Sequence, residues 1–140
     1  LYDLPSKVLK QRIAELLKLV GLEHKKNALA ESLSGGMKRR LSIAIALMHN
    51  PKLLYLDEPT AGVDPVSRMD LWVLISHIKK QGITVLFCTH YLDEAERLCD
   101  RIAILKEGQI IALGAPEELK KKYGKTMEEV FVKLVRGEHR

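Results

Sequence analysis

The chain has 140 residues, 46% of them hydrophobic and 29% charged, and its 23 basic and 18 acidic side chains give a net charge of +5. This length and composition are typical of one globular domain with its own core, and no apolar stretch reaches the ~18 residues of a membrane-spanning helix. Aromatic residues make up only 5% and are not interleaved with the basic ones, which argues against a nucleic-acid-binding surface. The two cysteines, Cys88 and Cys99, lie in apolar segments and are expected to be buried and reduced.

Two helices are predicted in the first fifty residues. Apolar side chains recur at helical spacing between Ser6 and Val20, and Gly21 is positioned to end that helix. The mostly apolar stretch from Leu41 to Met48 predicts a second helix, which we expect to be mostly buried.

The residues before the second helix form a candidate phosphate site. A helix N-terminus offers free backbone N–H groups and the positive end of the helix dipole. Gly35 and Gly36 let an anion approach the backbone closely, and Ser34 adds a hydroxyl donor. An N-capping serine followed by a flexible turn is an equally good interpretation of the same residues. The basic run Lys38–Arg40 predicts a solvated face for at least two of its members.

The apolar run Leu53–Leu56 ends in two adjacent carboxylates, Asp57 and Glu58. Such a run predicts a strand buried on both faces, as in a parallel sheet, and Pro59 ends it. The carboxylates then lie at the carboxyl end of a core strand, where ligands bind in open α/β sheets. There Asp57 suits a Mg²⁺ ion and Glu58 suits a water to be activated. The alternative is a strand that simply ends in a polar turn.

A helix and a second strand follow. Asp64 and Pro65 predict the N-cap and the first residue of a helix over residues 66–81. The face of this helix that we expect to be buried consists of Met69, Trp72, Ile75 and Ile78. The apolar run 83–88 predicts another buried strand, and His90 follows its carboxyl end. A lone histidine is usually structural, but this position suits contact with a phosphate.

The C-terminal third predicts a β-hairpin and two helices. Residues 102–113 form two apolar runs around a short loop that contains Gly108. Pro116 begins a helix that ends near Tyr123. Thr126 begins a capping box for a last helix.

The triplet Gly124-Lys125-Thr126 resembles the end of a P-loop. The pattern requires a glycine where Leu119 stands, and a helix beginning at Pro116 precedes the triplet where a P-loop requires a strand. We therefore reject this match. No other stretch of the 140 residues fits a P-loop.

Four of these features occur together, in this order and spacing, in one known family. Leu33–Met37 resembles the signature motif of ABC-type ATPases, and residues 53–58 resemble their Walker B strand. Residues 61–64 resemble the D-loop, and His90 resembles the switch histidine of the H-loop. Met37 stands where the motif more often has glutamine.

The resemblance covers nearly the whole chain from about Gly21 to Gly124. The segment from Thr89 to Glu96 further resembles exporter-type subunits, which energise the efflux of drugs, lipids or polysaccharides. The resemblance implies an α/β P-loop NTPase fold of the RecA-like kind. Such a fold has a mostly parallel sheet with flanking helices and is joined to part of the ABC helical subdomain.

Three residues would act at the ATP that the chain itself holds. Asp57 would bind Mg²⁺ through water, and Glu58 would be the general base that deprotonates the attacking water. His90 would contact the γ-phosphate. ATP and Mg²⁺ are thus the implied cofactors.

Five other residues would act across a dimer. Ser34, Gly35 and Gly36, with Met37 beside them, would bind the γ-phosphate of the ATP held by the opposite subunit. Asp64 would link the two sites. The implied partners are a second nucleotide-binding domain, joined head to tail with two-fold symmetry, and a transmembrane permease. The implied location is cytoplasmic, on the inner face of the cell membrane.

The family's P-loop, adenine contact and Q-loop are absent from the chain, so the resemblance predicts the C-terminal part of a nucleotide-binding domain. It predicts a helical portion at 1–50, half of the ATPase core at 51–114 and C-terminal helices at 115–140. A sheet without its P-loop strand would have exposed edges, and the chain alone is expected to be inactive and prone to aggregate. A soluble ABC-type ATPase acting in translation or on DNA, and a non-enzymatic binding module, are the alternatives.

Overall fold

The structure is a computed structural model that describes residues 5–137. Its helices are α1 (Ser6–Leu19), α2 (Gly35–Ala46), α3 (Pro65–Lys80), α4 (Leu92–Leu98), α5 (Pro116–Tyr123) and α6 (Met127–Arg136). Its strands are β1 (Leu53–Asp57), β2 (Thr84–Cys88), β3 (Ile102–Lys106) and β4 (Gln109–Gly114). The predicted α/β class is confirmed. Among residues 5–137, no helix combines the length and the apolar character needed to cross a membrane.

The chain divides into two compact units, one ending at Cys88 and the other beginning at Thr89. The first contains α1, α2 and α3 with the parallel pair β1–β2, in which Asp57 lies opposite Cys88. The second contains α4, the antiparallel pair β3–β4, α5 and α6. The predicted segments 1–50, 51–114 and 115–140 stay a prediction, and their outer ends lie outside the described residues.

Three helices and one face of the small sheet enclose the core of the first unit. The core comprises Leu16, Val20, Leu22, Ile43, Ala44, Leu47, Leu54, Leu71, Leu74 and Ile78. Gly21 follows α1 with a φ of +68°, as its predicted place at the end of that helix requires. On α2 the prediction of general burial is wrong, because only one stripe faces this core and Ile45 is 61% exposed.

The buried face of helix α3 overlaps only partly with the predicted one, because Ile75 and Ile78 are buried as expected but Met69 and Trp72 are not. Leu71, Leu74, Ile75 and Ile78 are its buried residues. Met69 is 57% exposed, so its predicted burial is wrong. Trp72 is half-buried and lies 5.7 Å from the Arg68 guanidinium. Both stripes repeat at helical spacing, so periodicity alone does not choose between them.

The strands of the first unit are buried on one face only, so the prediction of burial on both faces is wrong. Leu54 is 3% exposed, but its neighbours Leu53 and Tyr55 are 55% and 56% exposed. Leu86 on β2 is 55% exposed, and Cys88 is exposed too, contrary to its predicted burial. Successive strand side chains point to opposite faces, and the helices cover only one face of this pair. Cys99 is half-buried, and neither cysteine forms a disulfide, in agreement with the predicted reduced state.

The second unit confirms the predicted hairpin. Strands β3 and β4 pair through a two-residue turn, Glu107-Gly108, in which both residues have positive φ, as a type I′ turn requires. The hairpin and the helices share a core of Ala95, Ile102, Ile104, Leu119, Met127, Val130 and Leu134.

The connection between α5 and α6 settles two predictions about this unit. Gly124 and Lys125 lie between two helices, so the triplet is no strand–loop–helix P-loop, in agreement with its rejection. Thr126 Oγ1 accepts a hydrogen bond from the N–H of Glu129 at 3.2 Å, the first half of the predicted capping box. The Glu129 carboxylate accepts from Lys125 N–H at 2.7 Å instead of from Thr126, so the second half is wrong by one residue.

Candidate functional site

The carboxyl end of β1 positions the two candidate acids. Glu58 follows the strand with a φ of +45°, in the left-handed region. Its N–H donates to the carbonyl of Cys88 at 3.0 Å, and its carbonyl accepts from Ala61 N–H at 3.2 Å. This conformation costs a residue with a side chain roughly 1–2 kcal/mol, so the surrounding bonds must hold it in place. The Asp57 side chain is exposed, and Glu58 is half-buried.

The N-terminus of α2 has the geometry of a capped helix. Ser34 is extended, and its Oγ accepts a hydrogen bond from Met37 N–H at 3.3 Å. Gly35 and Gly36 occupy the first two helical positions, whose N–H groups have no partner one turn earlier in the helix. The capping interpretation is therefore correct, and it leaves two amide donors and the positive end of the dipole for an anion.

The structure separates the roles of the two glycines, which sequence reasoning treated alike. A Cβ placed on Gly35 would meet no atom within 4 Å. A Cβ placed on Gly36 would lie 2.8 Å from both Cβ and Oγ of Ser67, at the start of α3. Gly36 therefore permits close packing of two helices, while Gly35 faces open space. Nothing in the local sequence reveals this difference, because it depends on a contact 31 positions away.

Asp64 caps α3, as predicted. Its Oδ1 accepts a hydrogen bond from Ser67 N–H at 3.0 Å, and Pro65 occupies the first turn. This bond is the main reason that the pKa of Asp64 lies below its ordinary value of 3.8. The preceding Gly62 has a φ of +70°, a conformation that L side chains rarely adopt. The turn that presents Asp64 thus depends on glycine.

The Asp64 cap predicts a pH-dependent contribution to stability. Because the folded pKa is lowered, the contribution is complete above the unfolded pKa and is lost as the pH falls through the folded value, in the range below about 4. We expect Asp64→Ala to lower Tm at neutral pH, with a difference from the parent that shrinks below pH 4. Asp64→Asn keeps a hydrogen-bond acceptor at every pH. The Tm of this variant should therefore lack the decrease at low pH that comes from protonation of Asp64. Thermal unfolding followed by circular dichroism between pH 2 and 7 would measure both, and a constant Ala difference would contradict the assignment.

The structure adds a residue that the sequence did not single out. Arg39 of α2 donates from Nη2 to the Glu58 carbonyl at 2.9 Å. Its neighbour Arg40 is mostly buried, with Nη1 3.9 Å from Asp70 Oδ2. Only Lys38 of the three is exposed, so the prediction that at least two are solvated is wrong. Consecutive helical residues point about 100° apart. Arg39 therefore faces the turn after β1 and Arg40 faces α3, while Lys38 faces solvent.

His90 belongs to the second unit. It lies just before α4, is exposed, and has its ring centroid 4.1 Å from that of Tyr91. Thr89 Oγ1 accepts a hydrogen bond from Tyr91 N–H at 3.1 Å. The first unit contains the other predicted site residues, which are those of the α2 N-terminus, the two acids at the carboxyl end of β1, and Asp64.

Comparisons with known proteins agree on one family. The family model for the ABC transporter matches residues 5–61. The chain is 44% identical over 124 residues to the linearmycin resistance ATP-binding protein LnrL of Bacillus subtilis, covering 89% of this chain and 40% of the relative. It is 44% identical over 118 residues to the Nod factor export ATP-binding protein I of Burkholderia orbicola, covering 84% of this chain and 39% of the relative.

Solved structures show the same likeness in three dimensions. MJ1267, an ATP-binding cassette of an ABC transporter in its ADP conformation, has a TM-score of 0.80 and 32% identity, and the match covers 97% of this chain and 53% of that one. A cbiO1 protein from Clostridium perfringens has a TM-score of 0.80 and 37% identity, with 94% and 51% covered. This likeness confirms the P-loop NTPase fold predicted from the sequence. The chain spans about two fifths of the length of these curated relatives and about half of these solved cassettes.

Proposed function

Because this chain belongs to the family of ABC transporter ATP-binding domains, we propose that it works as part of a subunit that hydrolyses ATP to drive export across a membrane. The observation that supports the proposal best is the pair Asp57-Glu58 at the carboxyl end of β1, where three hydrogen bonds, one of them from a side chain, hold the backbone of Glu58. Export is proposed because one relative is named for linearmycin resistance and another for Nod factor export.

The residues present fit a Mg²⁺ ion. Mg²⁺ usually takes one or two carboxylates and fills its remaining positions with water and substrate phosphates, and Asp57 presents one exposed carboxylate. When bound with ATP, the ion would neutralise charge that develops on the phosphates. Glu58 would orient and deprotonate the attacking water. His90, which is exposed before α4, would contact the γ-phosphate.

The α2 N-terminus suits the ATP of a second subunit. Gly35 and Gly36 offer backbone N–H donors at a capped helix start, and Ser34 supplies a hydroxyl. Ser34 and Gly35 are exposed, so a phosphate of another chain can reach them. We propose a head-to-tail dimer in which Met37 flanks the phosphate and Asp64 lies between the sites. The other proposed partner is a transmembrane permease, which would hold the subunit on the cytoplasmic face of the membrane.

We propose that residues outside these 140 supply the cradle for the phosphates, because no stretch of the chain fits a P-loop. The chain alone should then bind ATP too weakly to hydrolyse it, since the P-loop amides and lysine make most of the contacts to the nucleotide.

A Mg-ATP titration of two proteins tests the proposal. The 140-residue chain should show no binding at millimolar ATP by calorimetry, whereas the full-length subunit that contains it should bind and hydrolyse ATP. Absence of binding and hydrolysis in the folded full-length subunit would overturn the proposed function. Clear binding by the 140-residue chain would overturn the missing-cradle part and direct attention to Gly124-Lys125-Thr126.

A further inference from the structure

We propose that Arg39 is a positioning residue that fixes the Glu58 turn against the N-terminal turn of α2, so that the two nucleotide sites of a dimer are mechanically coupled. The inference rests on the proposed function, because it assigns Glu58 to the chain's own ATP and the α2 N-terminus to the partner's ATP. It concerns a side chain that plays no part in the roles given above.

The first contact is the hydrogen bond from Arg39 Nη2 to the Glu58 carbonyl, at 2.9 Å. Glu58 has a φ of +45°, and its N–H donates to Cys88 across the strand pair. Left-handed residues with side chains persist only where the surroundings hold them. The Arg39 side chain bonds this backbone unit directly, and its charge makes that bond stronger than a neutral one.

The second contact lies three residues earlier on the same helix. The backbone of Gly36 lies so close to Ser67 that a Cβ would approach its side chain to 2.8 Å. Ser67 N–H in turn donates to Asp64 at 3.0 Å. The N-terminal part of α2 is therefore fixed at two points, one in the turn that follows β1 and the other in the first turn of α3. One point is the Glu58 carbonyl, and the other is the residue that Asp64 caps.

Because of these two contacts, the N-terminal part of α2 cannot shift unless the Glu58 turn shifts with it. Interiors are packed too densely for such contacts to slide continuously. When the partner's phosphate binds Ser34–Gly36, the position of the α2 N-terminus becomes fixed. Arg39 then transmits this constraint to the Glu58 turn. Each site would then gain a well-placed general base only when the opposite ATP is seated.

Substitutions at Arg39 in the full-length subunit test this coupling. Arg39→Met keeps the apolar stem and removes the donor, while Arg39→Lys keeps a charged donor. We expect Met to lower kcat for ATP hydrolysis roughly tenfold with the KM for ATP changed less than about twofold, since loss of one charged hydrogen bond moves the base without removing nucleotide contacts. Lys should recover part of the loss. The exposed neighbour supplies the matched control, Lys38→Met, which should behave as the parent.

Hydrogen exchange separates positioning from general stability. Ala61 N–H donates to the Glu58 carbonyl, so in Arg39→Met its exchange should accelerate, while that of Leu74 in the core of α3 should not. A folded Arg39→Met protein with parental kcat and parental exchange at Ala61 would overturn the proposal. Equal acceleration at Ala61 and Leu74 would also overturn it, because it would indicate a general loss of stability.

A second pair of variants decides the matter if Arg39→Met does not fold. Gly36→Ala should collide with Ser67, lower kcat and accelerate exchange at Ala61, and adding Ser67→Gly should restore both because it removes the two atoms in conflict. Failure of the double variant to restore them would refute the two-point contact. If the parent subunit hydrolyses no ATP, the proposed function fails, and the exchange measurements still test the contacts themselves.

Discussion

Glu58→Gln in the full-length subunit is expected to lower kcat for ATP hydrolysis by about 10²- to 10⁴-fold, the usual contribution of a general base. The amide has nearly the same shape as the carboxylate, so the bonds of the Glu58 backbone to Cys88, Ala61 and Arg39 remain. It cannot accept the proton of the attacking water. Affinity for Mg-ATP should stay within a few-fold of the parent. Steady-state hydrolysis and a nucleotide titration on the same preparation would measure the two effects separately.

The chain contains a matched control for this substitution. Glu107 is also a glutamate with a left-handed backbone, at a φ of +51°, but it lies in the turn between β3 and β4. Glu107→Gln makes the same chemical change in the same kind of backbone conformation, and it should leave kcat unchanged. If Glu58→Gln retained kcat within twofold, Glu58 would not be the base. A similar loss in both variants would point to a general effect of the substitution.

The sequence predicts a structural feature correctly where the conformational preferences of one short stretch determine it. The cap at Asp64 and Pro65, the end of α1 at Gly21 and the Glu107-Gly108 turn each depend on the conformational preferences of a few neighbouring residues. The place of the two acids at the carboxyl end of β1 follows from the length of an apolar run and from the proline that comes after them. For these features the sequence and the structure agree.

Longer-range packing explains what the sequence could not show. Three features of the site depend on contacts between separate elements. They are the left-handed conformation of Glu58, the contact of Gly36 with Ser67, and the hydrogen bond from Arg39. The exposure of one side of β1 also depends on long-range packing. An unbroken apolar run predicts burial on both faces, but burial depends on which elements are available to cover them, and Tyr55 remains 56% exposed.

That exposed side predicts self-association of the 140-residue chain at micromolar concentration. Leu53, Tyr55 and Leu86 are each more than half exposed on a two-stranded sheet. The hairpin is similar, because Leu105, Ile110 and Leu113 are between 53% and 61% exposed. Apolar strand surfaces with unpaired edges are templates for association. Sedimentation velocity and light scattering should therefore detect oligomers or aggregates.

Positive charges placed on the exposed face of β1 and β2 should reduce this self-association. In the double variant Tyr55→Lys/Leu86→Lys, we expect a smaller sedimenting species and less scattering, because like charges on one strand pair oppose stacking and edge pairing. Val66→Lys/Val73→Lys is the matched control, since it adds the same charge at two α3 residues that are each 71% exposed. If both pairs solubilised the chain equally, net charge rather than the strand surface would be responsible. A monomeric parent chain that melts cooperatively would refute the prediction outright.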